Sequence, residues 1–158
     1  MSFFTDIQDE IKDYLEAVAW FSDIPIVIEE TGTVEGDLDK ALAEGAMKPN
    51  SSSKCGAAIL IITPSGTPTE NAPYIPESDI EFMFGVIEQP SVNRAASGIG
   101  KTGLEIVARL AVALTNENPS DDPSVEAMRW GGFTSTEDPK HGELYYIVRF
   151  FQRRVITV

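Results

Sequence analysis

Residues 95–102 carry the spacing in this chain that comes closest to a reactive-site pattern. Ala95-x-x-x-x-Gly100-Lys101-Thr102 fits a permissive phosphate-binding loop. In such a loop, backbone N–H groups and a lysine cradle phosphate oxygens at the start of a helix, while the hydroxyl serves magnesium. That chemistry needs a buried strand running straight into the glycine turn. Here the preceding apolar run ends near Glu88, seven residues before Ala95, and Pro90 intervenes. The first motif position is Ala rather than Gly, and no apolar strand ends in an Asp placed for magnesium. The plainer reading makes Ser97, Gly98 and Gly100 a flexible turn and Thr102 the cap of the next helix. Nucleotide binding through Gly100, Lys101 and Thr102 stands as the alternative from another functional class.

Other reactive groups are sparse. His141 is the single histidine and sits in a polar stretch beside Gly142; no Gly-x-Ser-x-Gly turn accompanies it. Cys55 is the single cysteine, so an internal disulfide and a cysteine-based metal cage are both ruled out. The acidic pairs Asp121-Asp122 and Glu29-Glu30 lack the spacing of a calcium loop and read as solvated surface. The expectation is therefore no catalytic residue, no cofactor and no bound metal. Arg149, Arg153 and Arg154 stand out as a basic cluster, and Arg149 and Arg153 share strand parity. They are either simply solvated or part of an edge that meets an acidic edge of a neighbouring subunit.

The chain surrounding these residues has 158 residues, which suits one domain (1–158) with a proper core and a radius of gyration of about 15 Å. Apolar residues make up 42% and charged residues 23%, ordinary for a globular protein, but 25 acidic residues face 12 basic ones, a net charge of -13. That balance argues against generic nucleic-acid binding, which calls for a basic stripe. It suits a surface that repels phosphate. The opening residues lack the basic and apolar regions of a signal peptide. The longest apolar run, Ala57 to Ile62, is too short to span a bilayer. A soluble protein that is not exported is expected.

Periodicity supplies the elements. Phe4, Ile7, Ile11, Leu15 and Val18 recur at helical steps, with Thr5 and Gln8 spaced for a capping box. Ile24 to Glu29 reads as a strand, and 36–44 as a short helix stopped by Gly45. Ala57 to Thr63 is apolar without alternation, as in a strand buried on both faces. Pro64 to Pro76 reads as an extended loop. Ile80, Phe82, Phe84 and Val86 alternate as a strand with one apolar face. Thr102 to Thr115 is a second amphipathic helix, rich in Ala and Leu. Asn116 to Ser124 reads as an acidic turn, Val125 to Trp130 as a short strand or turn, and Thr134 to Gly142 as a loop. Leu144, Tyr146, Val148 and Phe150 begin a final strand that runs nearly to Val158. The order predicts an α/β (α+β) domain: a mostly antiparallel or mixed sheet with two main helices packed on it.

At the strand–turn–helix segment the chain resembles the tail-terminator (tail-completion, neck) proteins of long-tailed bacteriophages. The family pattern is a strand ending in Val-x-Glu-Asn-Pro, then x-x-Asn-Arg, a Gly-Thr-Gly-Lys-like turn and an Ala/Leu-rich helix. Its positions fall here on Val86, Glu88, Pro90, Asn93, Arg94, Gly98, Gly100, Lys101 and the helix from Thr102, with Gln89 where the pattern has Asn. The resemblance implies a structural virion subunit without catalysis. Such a subunit joins a homo-oligomeric ring, usually a hexamer, on the end of the tail tube. The ring ends tube polymerisation and presents a surface to the head–tail connector (neck) protein. DNA would pass through the lumen without specific binding, and no membrane is involved. The protein would be built in the host cytoplasm and reside in the virion. Glu88, Pro90, Asn93 and Arg94, with Arg149, Arg153 and Arg154, are the candidate assembly-interface residues. Another tail, neck or baseplate component is the nearest alternative.

Overall fold

A computed structural model of the chain describes residues 3–29, 56–69, 77–95, 98–138 and 142–156. Two long strands form the spine of its sheet. β4 (Glu77–Glu88) and β6 (Glu143–Val155) pair antiparallel from Glu77↔Val155 to Glu88↔Leu144. β2 (Ala57–Ile61) lies on the other side of β4, antiparallel to its C-terminal half, and β1 (Ile26–Ile28) runs parallel to β2. β3 (Ser65–Pro68) pairs with the N-terminal half of β4, from Ser65↔Glu81 to Pro68↔Ser78. β5 (Arg129–Asp138) flanks β6, giving the order β1-β2-β4-β6-β5 with β3 beside β4.

Strand parity decides which side chains meet the helices. Ile80, Phe82, Phe84 and Val86 of β4 share a face with Tyr146, Val148 and Phe150 of β6. Onto that face pack α1 (Phe3–Ala17), through Ile7, Ile11 and Leu15, and a later helix (Gly103–Leu114), through Ile106, Val107, Leu110 and Leu114. Full burial of each such side chain contributes roughly 1.5–3 kcal/mol. The opposite face carries a smaller cluster of Ala58, Leu60, Ile62 and Ile87, with Val27, Met83, Tyr145 and Ile147 against it. β2 is buried along its whole length, as its unalternating composition requires.

The architecture is the expected single layer of helices on a mixed sheet, and β1–β2 is the parallel pair among the described residues. Several local expectations are corrected. α1 begins at Phe3, so Thr5 lies inside the helix instead of capping it, and Gln8 donates to the Ile61 carbonyl at 3.3 Å. The stretch read as a loop from Pro64 contains β3, because the exposed edge of β4 pairs with it. Thr134 to Asp138, read as loop, belongs to β5, where the β6 ladder overrides the weak strand propensity of Gly, Ser and Thr. A bulge between Trp130 and Gly132 absorbs the glycine pair there. The helix expected over 36–44 and the polar stretch 49–54 lie outside the described residues, as do Cys55 and His141.

Candidate functional site: the strand–turn–helix junction

The segment singled out by its motif folds into a closed junction at the C-terminal end of β4. Pro90 starts a one-turn helix, α2 (Pro90–Asn93), where a missing N–H costs nothing. The chain then turns into α3 (Gly103–Leu114), whose cap is Thr102. Thr102 Oγ1 accepts from the Glu105 N–H at 3.3 Å, and Glu105 Oε2 accepts from the Thr102 N–H at 2.8 Å, a complete capping box.

Glu88 organises the junction. Its parity points it to the helix face, and it is 1% exposed. Oε2 accepts the Gly103 N–H at 2.8 Å, while Oε1 accepts from Asn93 Nδ2 at 3.0 Å and Arg94 Nε at 3.1 Å. A buried carboxylate is thus matched by donors from α2 and by the positive end of α3. Asn93 Nδ2 also donates to the Lys101 carbonyl at 2.7 Å, stitching the two ends of the turn together. Two glycines are needed for this closeness. A Cβ on Gly98 would lie 2.1 Å from the Asn93 carbonyl oxygen, and one on Gly103 would lie 2.5 Å from Tyr146 Cε2.

The same geometry answers the phosphate-loop reading. Lys101 Nζ turns away from the start of α3 and donates to the Trp20 carbonyl and to Asp23 Oδ1, both at 2.6 Å. It also lies 4.4 Å from the centre of the Trp20 ring, with Arg109 at 5.3 Å from the same ring. The place where a phosphate would meet the first amide of α3 is held by the Glu88 carboxylate. Among the described residues no group of three or more His, Cys, Asp or Glu side chains is placed to hold a metal. Asp122 is drawn to its own turn: Oδ1 accepts from the Ser124 N–H at 2.8 Å and its hydroxyl at 2.7 Å. The Ser124 hydroxyl first, then its amide, holds the Asp122 carboxyl below its ordinary value.

The candidate residues separate by depth. Glu88 and Asn93 are buried and hold the junction together from within; Pro90 is half-buried, and the Arg94 side chain is 57% exposed. The basic cluster divides between two faces of β6. Arg149 and Arg153 point off the face away from the helices, 3.6 Å from Glu81 and 3.5 Å from Asp79. Arg129 joins them at 3.0 Å from Asp79. Arg154 is corrected from patch to interior: it turns to the helix face, is 6% exposed, and meets Gln152 Oε1 at 2.7 Å and Glu10 Oε2 at 3.0 Å. The alternation of a strand already demands opposite faces for Arg153 and Arg154. Trp20, Asp23 and Glu10, the distant partners of the conspicuous cations, had no local signal in the sequence.

No family model matches the chain, and no curated protein matches it. Its fold does match a solved structure, a chain of the "Virion of native gene transfer agent (GTA) particle", with a TM-score of 0.62. The likeness covers 96% of this chain and 95% of that one, at 12% sequence identity. It establishes a shared fold from end to end. Among the described residues no helix is long and apolar enough to cross a membrane.

Proposed function

We propose that the protein is a structural virion subunit that closes into a ring on the end of a tail tube. There it ends polymerisation and meets the head–tail connector. The observation that carries this reading is the end-to-end likeness of its fold to a chain of a virion particle. The motif supports it through its architecture. Glu88, Asn93 and Gly103 tie β4, α2 and α3 together, and Arg94 is left exposed beside them. A net charge of -13 suits the wall of a conduit through which DNA must slide without sticking. The role asks for no catalytic group, metal or cofactor. Ring closure would repeat one heterologous interface around an axis, and six copies is the expected number.

The test is polymerisation of a tail-tube protein with and without this chain. Tubes that stop growing and carry a cap at one end are the expected result. Unchanged growth with bare ends overturns the reading. The nucleotide alternative gains no support from the geometry, because Lys101 and the Gly103 amide already have partners within the chain.

A further inference from the structure

Among the described residues β1, β3 and β5 each have an edge that no strand pairs, and β3 and β5 lie on opposite sides of the β4–β6 pair. β5 flanks β6 on one side, and among the described residues no strand pairs with its outer edge. Arg129, Trp130, Gly131, Phe133, Thr134 and Ser135 are all exposed. β3 flanks β4 on the other side, and Ser65, Gly66, Thr67 and Pro68 are likewise exposed. Both edges are almost free of charge. β3 has none, and β5 has none from Trp130 to Thr136. That is unusual in a chain with 23% charged residues, because soluble proteins commonly guard an open edge with charge. Trp130 and Phe133 on β5 are 39% and 47% exposed.

Strand direction makes the two edges complementary. β3 runs antiparallel to β4, β4 to β6, and β6 to β5. β3 and β5 therefore run in opposite directions. When a second copy is placed beside the first in the same orientation, its β3 arrives antiparallel to β5, the commoner and slightly stronger pairing. We propose that β5 of one copy pairs with β3 of the next, so that the sheet continues from subunit to subunit. This rests on the ring reading and names its interface: heterologous, head to tail, and able to close.

The junction is short by construction. The Thr69 N–H donates to the Glu77 carbonyl at 3.1 Å, so in the alternating ladder Gly66 and Pro68 are the β3 residues that face outward. Gly66 offers a donor and an acceptor, and Pro68 offers only its carbonyl. The edges are also staggered. Ser65 is level with Arg129 through Glu81 and Phe151, whereas the uncharged part of β5 lies further along. Joining them inclines the strands to the ring axis, as closure of any barrel requires. A short, staggered junction is weak between two free copies and gains strength on a tube end that holds the copies in place.

Disulfide trapping tests this in the full-length protein at high concentration, in a Cys55→Ser background. Thr67→Cys or Ser65→Cys, each combined with Thr134→Cys on the same face of the sheet, is expected to give ladders of linked subunits under mild oxidation. Thr67→Cys alone, Thr134→Cys alone, and Thr67→Cys with Val112→Cys on the outer side of α3 serve as controls. The expected result is at least tenfold more linked product for the β3–β5 pairs, with melting temperatures unchanged under reduction. Equal linking in the controls, or none in any variant, overturns the proposal. Rings visible by electron microscopy without β3–β5 linking would overturn this interface while leaving the ring reading intact.

Discussion

The carboxylate of Glu88 accepts the backbone N–H of Gly103 at 2.8 Å, so the anion site at the start of α3 is filled by the chain itself. A helix start that draws phosphate in nucleotide-binding folds is used here to lock a strand to a helix.

Removing that carboxylate leaves the Gly103 amide without an acceptor and leaves Asn93 Nδ2 with the Lys101 carbonyl alone, one of its N–H groups unmatched. Glu88→Ala is expected to destabilise the protein by about 2–6 kcal/mol, from two buried N–H donors left unmatched at roughly 1–3 kcal/mol each. Glu88→Gln, which keeps one acceptor oxygen, falls in the lower half of that range. Urea denaturation measures both. A loss below about 0.5 kcal/mol for Glu88→Ala would show that the junction does not depend on it.

Lys101→Ala separates a structural lysine from a phosphate-binding one. The ammonium packs on Trp20 and meets Asp23 at 2.6 Å, but Asp23 is 42% exposed, so solvent screens the pair. A stability loss of about 1 kcal/mol is expected. Calorimetric titration with magnesium-ATP should give no binding heat in either protein. Saturable binding by the native chain that vanishes in Lys101→Ala would restore the phosphate-loop reading.

The legible part of this fold was its periodic part. Ile7, Ile11 and Leu15 announced α1, the unalternating run from Ala57 announced a strand buried on both faces, and Ile80 to Val86 announced the core face of β4. These signals are local, because side-chain direction follows from spacing alone. β3 and the second half of β5 were missed because Ser, Gly, Thr and Pro dominate them. Their strand state comes from neighbours on β4 and β6, not from their own propensity. In the junction, Thr102 was readable as the helix cap, while the return bond from Glu105 is a finding of the structure. Glu88 was conspicuous as a motif position, but its depth was not. Its amide partner lies 15 residues away, and the Glu10 partner of Arg154 lies 144 residues away, so only tertiary packing joins them.

The Arg154–Glu10 pair yields an asymmetric prediction. Arg154 is buried while Glu10 is 35% exposed. Glu10→Ala strands a buried guanidinium and is expected to cost roughly 1–3 kcal/mol. Arg154→Met removes the buried charge and adds packing, at the expense of the donor to the buried Gln152 Oε1, and is expected to cost about 1 kcal/mol. Thermal melts of both variants check the order, and a larger loss for Arg154→Met than for Glu10→Ala would contradict it.

Tyr14 should report on alkaline pH. Its hydroxyl donates to the Ala113 carbonyl at 3.1 Å, tying α1 to α3. Burial first, then the Glu117 carboxylate, raises it above the ordinary value of 10.0. A raised native value means the contribution is complete below about pH 10 and is lost as pH climbs through the native value. Absorbance titration at the tyrosinate band should reveal a late-titrating component that Tyr14→Phe removes. An unshifted titration would contradict the coupling.

The central claim, a ring-forming virion subunit, is tested most directly by mass. Light scattering after size exclusion, with negative-stain images of the same peak and tail-tube protein supplied as a template, reads the assembly. The account predicts closed rings with a mass of several times 17.2 kDa, six copies being the expected number. A species of 17.2 kDa that persists at high concentration and in the presence of tail-tube protein would contradict it.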